Sequence, residues 1–182
     1  MILNGEVIEE LDYGTLFINY KNGKKNGLSR IEMKSGITEV VMNYENDLLS
    51  GECIQYYDNG SIMNIMNYSN GILNGPFNSY FENGMLQISA NYLDGVYDGL
   101  VTAYDEFGDV ISEMQYINGK IHGKSVIYYS RSQGGRVLEV SFYENGLLTG
   151  NKISYYDTGE IMQVTPYLNG RPQRYPKVFP KQ

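Results

Sequence analysis

Apolar and polar residues alternate along this chain in short runs, and turn-forming steps separate the runs. Glu52-Cys53-Ile54-Gln55-Tyr56-Tyr57 is followed by Asp58-Asn59-Gly60 and then by Ser61-Ile62-Met63-Asn64-Ile65-Met66-Asn67-Tyr68. Alternation with a period of two places successive side chains on opposite faces of an extended strand. An Asn-Gly step between two such runs predicts a hairpin, because both residues tolerate positive φ. The same order of events recurs down the chain. Tyr20, Tyr44, Tyr68, Tyr92 and Tyr116 are each 24 residues apart, as are Tyr143 and Tyr167; only the 116–143 interval is longer, by three residues.

With these tyrosines as phase 0, three glycine positions and a second tyrosine fall into line. Phase 3 holds Gly23, Gly71, Gly95, Gly119, Gly146 and Gly170, with Asp47 as the exception. Phase 7 holds Gly27, Gly51, Gly75, Gly99, Gly123 and Gly150. Phase 12 holds Tyr56, Tyr80, Tyr104, Tyr128 and Tyr155, with Glu32 in the first repeat. Phase 16 holds Gly36, Gly60, Gly84, Gly108 and Gly159; in the long repeat the turn moves to Gly134-Gly135, after the insertion Ser130–Gln133. Each repeat therefore predicts one strand over phases 8–13, a hairpin turn at Asp58-Asn59-Gly60 and its copies, and a second strand over phases 17–24. The Asn-Gly-x-x-x-Gly step that follows reads as a longer loop back to the next hairpin. Phases 18, 22 and 0 share one face of the second strand. One hairpin is not stable alone, so neighbouring repeats must bury each other's tyrosines and aliphatic residues.

The expected fold is all-β: an elongated single antiparallel sheet of consecutive hairpins with a 24-residue period. Residues 1–19 read as a trimmed repeat, with Gly5 and Gly14 keeping the nine-residue spacing between phases 7 and 16, and residues 20–170 as the array. Residues 171–182 form a basic tail with three of the five prolines, which ends the sheet because proline cannot donate to a ladder. A propeller blade needs a longer repeat, and a parallel β-helix needs no hairpin turn within its coil.

The pattern Y-x-N-G-x-x-x-G-x-x-x-x-Y-x-x-x-G resembles the membrane occupation and recognition nexus (MORN) repeat in its bacterial variant form. Asn118-Gly119-Lys120-Ile121-His122-Gly123 and Tyr128-Tyr129 match most closely. The resemblance covers residues 20–170 and implies a non-catalytic module that contacts proteins or membranes. Bacterial members carry antitoxin labels. The repeats also accompany plant phosphatidylinositol-4-phosphate 5-kinases, so a kinase name can spread through the repeats alone. The repeats occupy nearly all of this chain, and no glycine-rich phosphate loop with a downstream lysine is present.

Charge adds what the repeat does not explain. The net charge of −7 hides a stretch, residues 35–119, with twelve carboxylates and no Lys or Arg. The tail carries Arg171, Arg174, Lys177 and Lys181 and no acid. This balance opposes nucleic-acid binding, which needs cations against phosphates, and disfavours anionic membranes. It suits either solubility of an open sheet or a cationic protein partner. Candidate partner-binding residues are Glu45, Asp47, Glu52, Asp58, Glu82, Asp94, Asp98 and Glu113. The acids do not follow a calcium-loop spacing.

The single cysteine excludes an internal disulfide and a cysteine-rich zinc site. Cys53 reads as a half-buried strand residue and His122 as a polar loop residue, so no catalytic, metal or cofactor site is expected. The turn glycines are followed by strands, whereas phosphate loops open helices. Without a signal peptide or an apolar run of membrane-spanning length, the chain is expected in the cytoplasm. Its exposed end strands make an end-to-end homodimer an open alternative.

Overall fold

A computed structural model describes residues 2–181. Strands make up the regular structure of the described residues apart from one 3-10 turn, Arg131–Gln133. The chain divides into two compact units, Met1–Leu86 with Tyr92–Gly95 and Gln87–Asn91 with Val96–Gln182.

In the first unit the main strands are Gly5–Glu10, Gly14–Lys21, Gly27–Met33, Thr38–Glu45, Gly51–Tyr56, Ile62–Ser69 and Gly75–Tyr80. Each pairs antiparallel with the next: Gly27 faces Tyr44, Gly51 faces Tyr68, and Asn78 and Ser79 face Ile65 and Asn64. In the second unit Gly99–Tyr104, Val110–Ile117, Lys120–Tyr128, Val137–Glu144, Leu147–Tyr155 and Ile161–Leu168 continue in the same way. The expected all-β sheet of consecutive hairpins is present. The strands begin and end within one residue of the expected phases, except that Lys120–Tyr128 and Leu147–Tyr155 start four residues early, at phase 4.

The two turns differ from expectation in their chemistry. The Asn-Gly step at phases 2 and 3 is not part of a long loop. Asn70 and Gly71 have φ of 51° and 81°, and Asn22-Gly23, Asn118-Gly119, Asn145-Gly146 and Asn169-Gly170 repeat the pair. Positive φ at both central residues marks a two-residue turn of the type that matches strand twist. It joins the second strand to a two-residue extension such as Leu48–Leu49 or Ile72–Leu73. At phases 14–16 only the glycine has positive φ, 82° at Gly60. There Gly60 N–H donates to Tyr57 O and Tyr57 N–H to Ser61 O, both at 2.8 Å. This hairpin closes through a turn with a glycine bulge.

The two-residue turns stack through their backbones. Gly71 N–H donates to Leu49 O, Gly95 to Leu73, Gly119 to Tyr97, Gly146 to Ile121 and Gly170 to Leu148, each at 2.8 Å. Asp47 preserves the bond, donating to Lys25 O at 2.9 Å, and its carboxylate accepts the Lys25 N–H at 2.8 Å. An Asp therefore fits the glycine phase at φ 74°.

Between the extension and the main strand, phase 7 glycine turns the chain out of register. The carbonyl freed there is met by an asparagine at phase 23. Asn19 Nδ2 donates to Leu28 O at 2.6 Å, Asn43 to Ser50 O at 2.9 Å and Asn67 to Pro76 O at 3.0 Å. The asparagine thus gives a donor to a carbonyl beside the break in these three repeats.

The core is a narrow row rather than a volume. Phase 9 faces phase 22 across each hairpin, as in Ser29–Met42 and Cys53–Met66 in the first unit and Ser125–Ser141 and Lys152–Thr165 in the second. Ile18, Ser29, Cys53, Met66, Ser125, Ser141 and Thr165 are buried along this row. Phase 0 tyrosines fold over it on the expected shared face: the hydroxyls of Tyr44, Tyr68 and Tyr116 lie 3.3, 3.8 and 3.9 Å from the sulfurs of Met42, Met66 and Met114.

The tail continues the repeat instead of only ending it. Lys177–Val178 pairs with Gln163 and Val164, as Asn78 and Ser79 pair with Ile65 and Asn64. Phe179 then stands at phase 12, twelve residues after Tyr167. Tyr156 donates its hydroxyl to Phe179 O at 2.9 Å, the bond that Tyr129 makes to Tyr155 O at 2.8 Å and Tyr57 to Tyr80 O at 2.7 Å. Lys181 also pairs with Asp157 at 2.6 Å.

The trimmed first hairpin generates a stability prediction. A Cβ on Gly14 would lie 2.2 Å from the Glu32 carbonyl oxygen. Both strands are fixed by their pairing, so neither backbone can yield freely. Gly14→Ala should lower stability by about 2 kcal/mol, read from the denaturant midpoint at unchanged slope. An unchanged midpoint would contradict this tight approach.

Candidate interaction surface

The eight candidate carboxylates fall at three kinds of place. Glu45, Asp47, Glu52, Asp94 and Asp98 cluster by phase around the Asn-Gly turn, Asp58 and Glu82 sit at the opposite hairpin turn, and Glu113 lies within the strand Val110–Ile117. The structure does not gather all eight on one face. Glu45, Asp47, Glu52, Asp58, Glu82 and Asp94 are exposed, whereas Asp98 and Glu113 are half-buried. Among the described residues none of the eight takes part in an ion pair; the pairs formed use Glu6, Glu32, Asp109, Glu139 and Asp157.

Several of these carboxylates support the turns. Asp98 Oδ1 accepts the Asn118 N–H at 3.2 Å, and Asp94 Oδ1 accepts from the Asn74 amide at 3.3 Å. Asp47 holds Lys25 as described. The same task explains His122, whose Nδ1 accepts the Asn145 N–H at 3.5 Å, and Asn4, which accepts the Asn22 N–H at 2.8 Å. At Asn4, Asp98 and His122 the residue just before a glycine thus accepts the next turn's first amide. Cys53 is buried in the core row, and burial pushes its thiol up, away from the reactive thiolate. Among the described residues no group of three or more His, Cys, Asp or Glu is placed to hold a metal ion. No helix among them is long and apolar enough to cross a membrane.

Glu113 differs from the others. Its carboxylate accepts the Tyr128 hydroxyl at 2.7 Å. Hydrogen bonding to Glu113, with burial adding to it, pushes the Tyr128 phenol up to about 12.

The sequence model of the MORN repeat variant matches residues 49–70, 73–94, 97–118 and 148–169. The chain belongs to the MORN-repeat family. No curated protein matches it. The four matched MORN repeats fall where the 24-residue spacing is regular. The unmatched residues before them include the repeat with Glu32 at phase 12 and Asp47 at phase 3, and the unmatched stretch between 118 and 148 carries the insertion. Both stretches still form MORN-type hairpins: Gly27–Met33 pairs with Thr38–Glu45, and Lys120–Tyr128 with Val137–Glu144.

Two features escaped the sequence reading. The phase 23 asparagines had a recurring position but no visible partner. The tail's Phe179 keeps the repeat spacing and lacks only tyrosine's hydroxyl.

The raised Tyr128 phenol predicts a pH signature. A pKa above the ordinary value of 10.0 favours the protonated fold. Its stabilising effect is complete below that ordinary value and fades as pH rises through about 12. In a tyrosinate absorbance titration, wild type minus Tyr128→Phe should isolate one late-ionising phenol, and Glu113→Gln should bring it down. A Tyr128 that ionises with the bulk tyrosines contradicts the Glu113 bond.

Proposed function

We propose that this MORN-repeat chain is a non-catalytic interaction module of the cytoplasm. It binds a cationic protein through its repeat sheet and the acidic stretch of residues 35–119. The observation that carries the reading is the absence of ion pairs at all eight candidate carboxylates among the described residues. Uncompensated charge on a folded surface repels itself and is relieved when a cationic surface docks, which also speeds the encounter. The stretch contains no Lys or Arg that could serve a lipid phosphate.

Self-association fits the ends less well. The edge strand Gly5–Glu10 carries Glu6, Glu9 and Glu10, and the far tail carries Pro172, Pro176 and Pro180. Charged side chains and proline blunt strand edges against pairing.

The experiment compares proteins captured by the wild-type chain with those captured by a variant in which the eight carboxylates become Asn or Gln. Loss of specific basic partners, together with weaker capture in salt, is the expected result. An identical set of partners would make the acidic stretch a solubility device. Flotation with anionic vesicles, falling with salt, would favour the membrane instead.

A further inference from the structure

The hairpin with the three-residue insertion builds something that the regular turn has no length to build. Ser130–Gly135 carries the 3-10 turn and ends in two glycines with φ of 96° and 63°. The insertion folds toward the turn of the preceding hairpin. There Arg131 Nη2 donates to Asp109 Oδ1 at 2.8 Å, and its Nε lies 2.7 Å from Oδ2 as an ion-pair contact without a hydrogen bond. The charge-assisted hydrogen bond ties the long turn to the preceding hairpin. Glu113 and Tyr128, bonded to each other, line the same hollow. Together Asp109, Glu113, Tyr128, Tyr129, Arg131 and Gly135 line a hollow of about 390 Å³. A Cβ on Gly134 or Gly135 would meet nothing within 4 Å, so the glycine wall leaves the space open.

The charges in this hollow are unequal. Asp109 is neutralised by Arg131. Glu113 has no cation among the described residues, and its only hydrogen bond there comes from a phenol. A carboxylate offers about four lone-pair directions, and Tyr128 uses one. The remaining capacity borders a space that Tyr128 also lines. A planar cation satisfies both features, since it can fork onto the carboxylate and lie against an aromatic face.

We propose that this hollow is the docking pocket for an arginine side chain of the protein partner. It rests on the proposed function and narrows it: the insertion turns one hairpin of a general acidic surface into a specific anchor point. Arg131 and Asp109 are then positioning residues that hold the rim, and Glu113 is the group that meets the guanidinium. Lysine would satisfy the charge but neither the fork nor the flat contact.

The probe is a capped Gly-Arg-Gly peptide, titrated into the isotope-labelled full chain and followed by amide shifts. The neutral isostere Gly-citrulline-Gly serves as the control. Saturable shifts confined to residues 109–113 and 128–135 are expected, with binding at least about tenfold weaker for citrulline and for Glu113→Gln. A second variant that excises Arg131–Gln133 restores the ordinary hairpin length and should also lose the response while keeping the other amide signals. Equal binding of citrulline, equal binding by Glu113→Gln, shifts spread over all acidic residues, or no shifts would each overturn the pocket. If partner capture survives Glu113→Gln but not neutralisation of all eight carboxylates, the pocket fails and the broader reading stands.

Discussion

The bond from each phase 3 amide to a carbonyl of the preceding turn fixes how MORN hairpins stack in this chain. It requires the two-residue turn to present its second amide sideways, which demands positive φ at both turn residues. Asn and Gly meet that demand at nearly every repeat, and at Gly119 the neighbouring turn leaves little room for a side chain. A Cβ on Gly119 would lie 3.1 Å from Val96 Cβ, and on Gly71 3.6 Å from Leu48. The aliphatic residue at phase 4 therefore covers the next turn's backbone, which explains half-exposed residues such as Leu48, Ile72 and Leu147.

A sheet built this way does not depend on a deep core. Its buried hydrophobic residues among those described are Ile18, Cys53, Met66, Ala90 and Val126. Serines and threonines fill much of the same row, each small enough to sit beneath the tyrosines. Stability is then close to a sum over repeats and their contacts, and the ends need protection because each lacks one neighbour. The tail supplies that neighbour by imitating the first strand of a further repeat. Its Phe179 carbonyl receives Tyr156 where a tyrosine carbonyl serves the other repeats.

The periodicity of Tyr and Gly made the hairpins legible in the sequence, because strand alternation and turn glycines are local effects. The exchange of turn types was not legible. Asn-Gly occurs at both connections, and the flanking strand pairing decides which one adopts two positive φ values. The asparagine caps were hidden for the same reason, since their partners lie nine residues away across a break in register. Among the candidate residues, sequence located the acidic positions but not their division of labour. Asp47 and Asp98 support turns, whereas Glu113 lies within a strand beside Tyr128. The pocket at the insertion depended on how Ser130–Gly135 folds back, which a repeat alignment treats only as an interruption.

Amide hydrogen exchange at the turn glycines tests the stacking directly. Gly71, Gly95, Gly119, Gly146 and Gly170 sit at exposed turns yet donate at 2.8 Å to the preceding turn. Their amides should exchange slowly, as strand amides do, and should lose protection together with the strands of their own repeats. Exchange at the rate of an open turn would mean that the hairpins are held by their side chains alone, and that the turn-to-turn bond does not set the stack.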